Sequence, residues 1–169
     1  MKYFFSVGEH SADMHAATLV QRIRELDPEA RFWGMGGPLM AQEGVEILYD
    51  PTGKSTIGFK EALGGLFQFL QCLKRFKRFF IEHSPDVLVW VDFEGFNQRL
   101  AEIASALNIP VVCLFAPSAW AYGRKRAIRM SRTVTHLAST FPFEADFFQR
   151  FGVKVTFTGH PIRDRVKAE

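Results

Sequence analysis

The stretch Val87-Leu-Val-Trp-Val-Asp-Phe-Glu-Gly-Phe-Asn97 decides the fold. Its first five residues are all apolar and follow Pro85-Asp86, which is typical of a strand buried on both faces of a parallel sheet. The apolar run ends at Asp92, and residues 98–107 then have the pattern of a helix. Ligands of open α/β sheets bind in the crevice outside the carboxyl ends of the strands. We therefore predict that Asp92 is the chemical centre of the chain, although its position fits a helix-capping role equally well.

Strands and helices alternate along the rest of the chain. We predict further strands at 2–7, 30–35, 45–49, 110–115, 134–138 and 153–158, and helices at 13–26, 39–42, 59–83, 124–132 and 143–151. This alternation predicts an α/β fold with a doubly wound, mostly parallel, Rossmann-like sheet that carries helices on both faces. The long helical crossover at 59–83, which Gly64-Gly65 could divide, leads to the Asp92 strand. The switch point should then lie between the first strand and the Asp92 strand, with the turn at 8–13 facing Asp92 across one crevice.

Composition narrows the class of protein. A chain of 169 residues with 47% apolar and 23% charged residues has the size and balance of one soluble globular domain. Its 18 Phe exceed what one core of this size needs, so we expect some to be exposed on a partner or membrane surface. Cys72 and Cys113 lie in apolar surroundings and show neither zinc spacing nor a disulfide framework. With no signal peptide or transmembrane run visible, we expect a cytoplasmic protein that touches membranes only from the side.

The turn Gly8-Glu-His-Ser-Ala-Asp13 leads from the first strand into a helix. Free backbone N–H groups and the positive end of the helix dipole suit a phosphate or a polar sugar at such a turn. The turn lacks the G-x-G-x-x-G spacing, which gives a nicotinamide-dependent oxidoreductase little support. Ser11 and Asp13 are equally typical of helix caps. His10 and His15 are candidate acid–base groups, although an isolated histidine is more often structural, and no paired metal-ligand spacing is present.

A second polar stretch, Ala116-Pro-Ser-Ala-Trp-Ala-Tyr-Gly-Arg-Lys-Arg126, follows another strand end. Its aromatic rings, hydroxyl group and basic cluster suit a sugar ring and an anionic group. The same features also suit nucleic acid, but the net charge of only +3 and the lack of a recognised nucleic-acid module weigh against that partner.

The helix at 66–81 is both basic and rich in phenylalanine. This pattern is typical of a helix that lies in a membrane interface. The alternative is a crossover helix whose apolar stripe packs on the sheet, and that arrangement is the commoner one. On the membrane interpretation, the docking residues are Phe67, Phe76, Phe79, Phe80, Lys74, Arg75, Lys77 and Arg78.

Seven stretches in order resemble one family. They are 8–13, Gly36-Gly-Pro-Leu-Met40, Ile57-Gly-Phe-Lys-Glu-Ala-Leu63, 85–97, Pro117-Ser-Ala-Trp-Ala-Tyr122, Phe141-Pro-Phe-Glu144 and Gly159-His-Pro161. Together they resemble the N-terminal half of the lipid-A-disaccharide synthases, which are inverting glycosyltransferases with two Rossmann domains (GT-B). The resemblance implies that UDP-2,3-diacylglucosamine and 2,3-diacylglucosamine 1-phosphate are joined into a β-1′,6-linked disaccharide phosphate with release of UDP. It implies no metal ion and no cofactor, and work at the anionic cytoplasmic face of the inner membrane.

The same resemblance implies roles for individual residues. Asp92 matches the acid–base aspartate, and Ser11 and Asp13 match the catalytic turn of the family. The substrate-binding positions that follow from the resemblance are Gly8, Glu9, Asn97, Ser118 and Trp120.

Three departures from the family pattern qualify these expectations. Ala12 and Gly95 stand where the family usually has Gly and a second Asp, so the carboxylate that supports Asp92 is not identified. The resemblance also divides the chain into an acceptor-side domain at 1–158 and, at 159–169, the start of a connection to a C-terminal nucleotide-binding domain that is missing. We therefore expect the isolated chain to be inactive. Ala12 and Gly95 also keep open an alternative, a non-catalytic module that binds a lipid phosphate or a membrane.

Overall fold

The computed structural model describes residues 1–52, 59–117 and 123–161, with the side chains of all of these except 59–66. In this part of the chain, parallel strands form one sheet in the order β3-β2-β1-β4-β5-β6-β7. The strands are β1 Lys2–Val7, β2 Arg31–Met35, β3 Glu46–Tyr49, β4 Val87–Val91, β5 Val111–Leu114, β6 His136–Ser139 and β7 Val155–Phe157. The predicted doubly wound parallel sheet is confirmed, including its switch point between β1 and β4.

Six helices connect the strands within the described residues. They are α1 His10–Leu26, α2 Pro38–Gln42, α3 Phe59–His83, α4 Glu94–Ala106, α5 Arg124–Thr133 and α6 Pro142–Gln149. Helix α3 continues through Gly64-Gly65 without a break. Helix α1 begins at His10, so Ser11 lies in its first turn and is not its N-cap.

Two apolar cores lie on the two faces of the sheet, and alternate residues of its central strands contribute to one core or the other. In β4, Leu88 and Trp90 belong to one core, which also contains buried residues of α3, α4, α5 and α6. Val87, Val89 and Val91 belong to the other core, where α1 and α2 pack. All five residues of β4 are buried, as the uninterrupted apolar run predicted.

Helix α3 turns its phenylalanine stripe toward the sheet. Phe76 and Phe80 are 0% and 2% exposed and make edge contacts with the ring of Phe4 in β1. Their assignment to a membrane-docking surface is therefore wrong, because a ring enclosed by the core cannot reach a bilayer. The half-buried Phe79 stacks on His83 and contacts Trp33, so it too packs against the protein. Phe67 is 64% exposed, in line with the expectation that some of the 18 Phe reach the surface.

Candidate active site

The site lies where β1 and β4 run side by side. These strands pair in parallel with Val7 opposite Val91, so the residues that follow both of them emerge at the same edge of the sheet. From here the chain proceeds to β2 on one side and to β5 on the other, which makes this edge the topological switch point. A cavity of about 460 Å³ opens at this edge. Its size is within the range of small-molecule sites.

Side chains from both halves of the sheet line this cavity. Helix α1 contributes Ser11, Ala12 and His15, and the turn after β4 contributes Asp92 and Glu94. The remaining wall consists of Phe115, Ala116, Pro117, Arg126 and His160. The predicted meeting of the first turn with Asp92 across one crevice is therefore observed, with Ser11 and Asp92 in one cavity.

Asp92 lies in an unusual backbone turn. Asp92 and Phe93 have φ angles of 53° and 54°, so two consecutive residues with side chains adopt the left-handed conformation. This conformation is unfavourable for residues other than glycine and concentrates at functional sites. The Asp92 carboxylate accepts a hydrogen bond of 2.8 Å from the Phe93 N–H, and the Asp92 side chain is exposed in the cavity. Phe93 occupies the N-cap position of α4, so the capping alternative for Asp92 is not what the structure shows.

Two buried side chains hold the Asp92 backbone in place. The Trp90 indole N–H and the Asn97 side-chain amide donate hydrogen bonds of 2.6 and 2.7 Å to the Asp92 carbonyl. Asn97 also donates to the carbonyl of Ser6 and accepts from its hydroxyl, and thereby connects the ends of β1 and β4. Because Asn97 is 0% exposed and lies outside the cavity lining, its predicted role in contacting substrate is wrong. The structure makes it a positioning residue for Asp92.

Gly8 accommodates the ring of Phe93. A Cβ atom on Gly8 would overlap the Phe93 ring, so only glycine allows this close approach between the two turns. Glu9 is exposed as the N-cap of α1, and its carbonyl accepts the Asp13 N–H at 2.9 Å. Neither Gly8 nor Glu9 belongs to the cavity lining, so a contact of either residue with substrate stays a prediction.

Asp13 has a structural role in a second helix. Its carboxylate is 0% exposed and accepts the backbone N–H groups of Gly37, Leu39 and Met40 at 2.8, 3.0 and 3.3 Å. These groups belong to the N-terminus of α2. Asp13 is therefore a capping residue, as the alternative prediction held, but it caps α2 and not its own helix α1. Asp13 does not line the cavity, so its expected role in the chemistry is wrong. Its carboxylate instead connects α1 to α2.

The far wall of the cavity is aromatic and charged. The Phe115 ring lies 5.0 Å from the His15 ring and 6.3 Å from the His160 ring, centroid to centroid. Arg126 donates to the Glu94 carboxylate at 2.7 Å, and both residues of this pair reach solvent. Burial, together with the charges of Asp92 and Glu94, raises the pKa of the Cys113 thiol well above its usual range. Cys113 is therefore an inert core thiol behind this wall.

Among the lining residues, sequence reasoning named His15 as a candidate acid–base group and gave no individual role to His160 or Arg126. His15 follows Ser11 by four residues, a spacing that places both on one helical face. His160 belongs to the quoted stretch 159–161, and Arg126 ends the basic cluster that was matched to an anionic group. Ser118 and Trp120 lie outside the described residues, so their predicted contacts with substrate remain predictions.

The outer face of α3 exposes both apolar and basic side chains. Phe67 and Leu70 are 64% and 46% exposed, and Ile81 is 60% exposed at the other end of the helix. The basic residues Lys74, Arg75, Lys77 and Arg78 are all exposed between them. Within the described residues, no helix is long and apolar enough to cross a membrane, and no cluster of three or more His, Cys, Asp or Glu could hold a metal ion.

Comparison with known proteins gives relatives along nearly the whole chain. A family model described as Lipid-A-disaccharide synthetase matches residues 3–169. The lipid-A-disaccharide synthase of Nitrosococcus oceani is 36% identical over 162 residues, which cover 96% of this chain and 42% of the relative. That of Myxococcus xanthus is 39% identical over 159 residues, which cover 94% and 42%. The chain thus spans about two fifths of the length of these curated relatives.

Solved structures share the fold at low sequence identity. The UDP-GlcNAc 2-epimerase from Neisseria meningitidis, solved with UDP-GlcNAc, superposes with a TM-score of 0.66 at 11% identity and covers 95% of this chain and 47% of its own. MurG from Acinetobacter baumannii gives a TM-score of 0.57 at 13% identity, covering 95% and 46%. At such identities the likeness concerns the fold alone.

Proposed function

Because the chain belongs to the lipid-A-disaccharide synthetase family, we propose that it forms the acceptor-side half of a glycosyltransferase of lipid A biosynthesis. The proposed reaction condenses UDP-2,3-diacylglucosamine with 2,3-diacylglucosamine 1-phosphate. Its products are the β-1′,6-linked disaccharide phosphate and UDP. The observation that carries the proposal is the exposed carboxylate of Asp92, which a strained turn presents in the cavity at the switch point beside Ser11.

Asp92 acts as the general base in this scheme. Its carboxylate takes the proton from the 6-hydroxyl of the acceptor as that oxygen attacks the anomeric carbon of the donor from the face opposite UDP. The bond from this carbon to the UDP oxygen breaks, and the electron pair leaves with UDP. A positioned carboxylate of this kind contributes roughly 10²- to 10⁴-fold to a rate.

The surroundings of Asp92 suit this task. The Asp92 carbonyl is fixed by Trp90 and Asn97, so the carboxylate needs little reordering before the reaction. Ser11 lies in the same cavity, where its hydroxyl is suited to orient the acceptor or the base. Of the two carboxylates of the cavity, we take Asp92 as the base because it matches the acid–base aspartate of the family, whereas Glu94 pairs with Arg126 in the structure.

The acyl chains of both substrates require access to a membrane surface. We propose that the exposed side of α3 provides it, with Phe67 and Leu70 entering the interface and Lys74 and Lys77 facing anionic lipid headgroups. The enzyme would then be a peripheral protein on the cytoplasmic face of the inner membrane. The donor would be bound by the part of the relatives that this chain does not match, and neither a metal ion nor another cofactor enters the scheme.

A sugar-transfer assay tests the role of Asp92. Residues 1–169 are joined to the unmatched part of the Nitrosococcus oceani relative, and disaccharide formation by this chimera is compared with that by its Asp92→Asn variant. We expect a loss of at least about 100-fold in kcat. Asp146→Asn, an exposed aspartate on α6, serves as the matched control and should keep full activity.

Two results would contradict the proposal in different ways. Full activity of the Asp92→Asn chimera would remove Asp92 from the mechanism. If the chimera folds and binds a lipid phosphate but transfers no sugar, the non-catalytic binding module is the better description.

A further inference from the structure

We propose that Arg126 binds the phosphate of a sugar 1-phosphate in the cavity, and that Glu94 occupies Arg126 when no ligand is present. The inference rests on the proposed function, since it names the part of the site that recognises the acceptor phosphate. It concerns binding alone and therefore does not depend on Asp92 being the base.

Arg126 has the position and chemistry for this role. It lies in the first turn of α5, lines the cavity together with Asp92, and is 47% exposed. Its guanidinium group is planar and permanently charged, and it matches the geometry of phosphate oxygens in a bidentate manner. The cavity of about 460 Å³ is in the size range that holds small polar ligands.

The ion pair between Arg126 and Glu94 is exchangeable. The ion pair joins Arg126 Nη1 to one Glu94 oxygen at 2.7 Å, and Glu94 is itself 28% exposed. An ion pair open to solvent contributes little to stability. When a phosphate displaces it, Glu94 can turn to water and is not left as a buried charge. The Glu94 carboxylate thus stands where a phosphate oxygen would bind, and it competes with the ligand.

The distribution of charge gives the ligand one orientation. Arg124 and Lys125 are exposed beside Arg126, and α5 carries no acidic residue, so this rim of the cavity attracts an anion. The Asp92 carboxylate repels a phosphate from the turn after β4. A sugar phosphate held at Arg126 therefore directs its uncharged hydroxyl groups, and not its phosphate, toward Asp92.

The test is a binding titration of the isotopically labelled 169-residue chain by NMR. The probes are N-acetylglucosamine 1-phosphate, uncharged N-acetylglucosamine, inorganic phosphate and UMP. We expect the sugar phosphate to bind most tightly and to shift the signals of Arg126 and Glu94. Arg126→Gln should weaken it about tenfold or more, and Arg126→Lys by less, because lysine keeps the charge without the planar fork. Arg124→Gln is the matched control on the same helix, with an expected change below about threefold.

Glu94→Gln gives a prediction of opposite sign. Removal of the competing carboxylate should tighten sugar phosphate binding, by roughly threefold or more, and this gain should vanish in the Glu94→Gln/Arg126→Gln double variant. A purely structural ion pair would produce no gain.

The outcomes separate this inference from the proposed function. It is overturned if the sugar phosphate binds no better than the uncharged sugar, if inorganic phosphate or UMP binds as tightly, or if both Arg126 variants bind like the wild type. A thermal melt of each variant shows whether it is folded. If Arg126→Gln is unfolded, the binding measured for Arg126→Lys and Glu94→Gln decides the question. Asp92→Asn should retain phosphate-dependent binding, whatever its effect on sugar transfer.

Discussion

The side-chain amide of Asn97 donates a hydrogen bond of 2.7 Å to the backbone carbonyl of Asp92. Asn97 lies in the first turn of α4 and Asp92 directly after β4, so this bond closes the left-handed turn that joins the two elements. The same amide bonds Ser6 at the end of β1. One buried side chain thus ties both strands of the switch point to the turn that presents the carboxylate.

Replacing Asn97 by Ala should destabilise the protein. The substitution leaves the buried Ser6 hydroxyl and two carbonyl groups without this partner, and we expect a loss of about 2–4 kcal/mol in the free energy of unfolding. Urea denaturation followed by circular dichroism measures it. Arg99→Ala, an exposed position of the same helix, should change the value by less than about 0.5 kcal/mol. Equal effects of the two substitutions would contradict the anchoring role of Asn97.

Gly8→Ala tests the contact between the two turns. The added methyl group overlaps the Phe93 ring, so Phe93 must move and the turn at Asp92 with it. We expect a destabilisation of about 1–3 kcal/mol, measured by thermal and urea unfolding. Gly95→Ala is the matched control, because a Cβ atom there meets nothing within 4 Å, and it should be neutral or stabilising by up to about 1 kcal/mol.

A second variant identifies the cause. Phe93→Gly removes the ring and is compatible with the positive φ angle, so the cost of Gly8→Ala should shrink in the double variant. An unchanged cost would mean that Gly8 is required for some reason other than its contact with Phe93.

Asp13→Ala should destabilise without altering the cavity chemistry directly. Three backbone N–H groups at the start of α2 lose their common acceptor, for which we expect about 2–4 kcal/mol. Ser11→Ala, at an exposed position in the same first turn, should leave stability within about 0.5 kcal/mol and lower sugar transfer by the chimera. The reverse pattern, with a stable Asp13→Ala protein that has lost activity alone, would restore a catalytic role to Asp13.

The sequence determines the sheet better than the site, for reasons visible in particular residues. The apolar run of β4 matches its prediction because burial on both faces leaves a local signal in every residue. The start of α1 was predicted three residues too late. Its N-cap residue, Glu9, makes no side-chain hydrogen bond to the helix, whereas Ser11 is a residue type that often occupies the N-cap position. Asp13 and Asn97 were taken for site residues because they match positions in the family's turns after the first strand and the Asp92 strand. Their actual partners, at the start of α2 and the end of β1, are set by tertiary packing.

The helix α3 illustrates the same limit. Its amphipathic pattern correctly predicts one apolar and one basic face, but the pattern does not say which apolar residues meet the sheet. Phe76 and Phe80 do, whereas Phe67 and Leu70 do not. The pairing of Arg126 with Glu94 is likewise not predictable, since the two residues are 32 positions apart and belong to different helices.

Binding to vesicles should depend on the exposed face of α3. Replacing Lys74 and Lys77 by Glu should weaken co-sedimentation with vesicles rich in anionic lipid by at least about tenfold, because each basic residue near such a surface contributes roughly 1 kcal/mol. Phe67→Ser/Leu70→Ser should weaken it further through lost apolar contact. Phe157→Ser removes another exposed ring, from the edge strand β7, and should have no effect. Equal retention of all variants would exclude α3 as the docking surface.

The buried thiols predict a dependence of stability on pH. Burial raises the pKa of Cys72 from 9.0 to about 12, against a smaller opposing effect of Arg75. Between these two values the unfolded chain releases the thiol proton and the folded chain keeps it. The free energy of unfolding should therefore be unaffected by this group below pH 9, and should fall above pH 9 by up to about 1.4 kcal/mol per pH unit.

Comparison with Cys72→Ala isolates this effect from lysine and tyrosine groups that titrate in the same range. Urea unfolding between pH 8 and pH 10.5 should give a steeper loss of stability for the wild type than for the variant. A thiol reagent at pH 8 should react slowly with the folded protein and rapidly in urea, because the thiolate is the reacting form. Parallel pH profiles of the two proteins, together with fast labelling of the folded wild type, would show that Cys72 is accessible and that α3 is not packed on the sheet at this position.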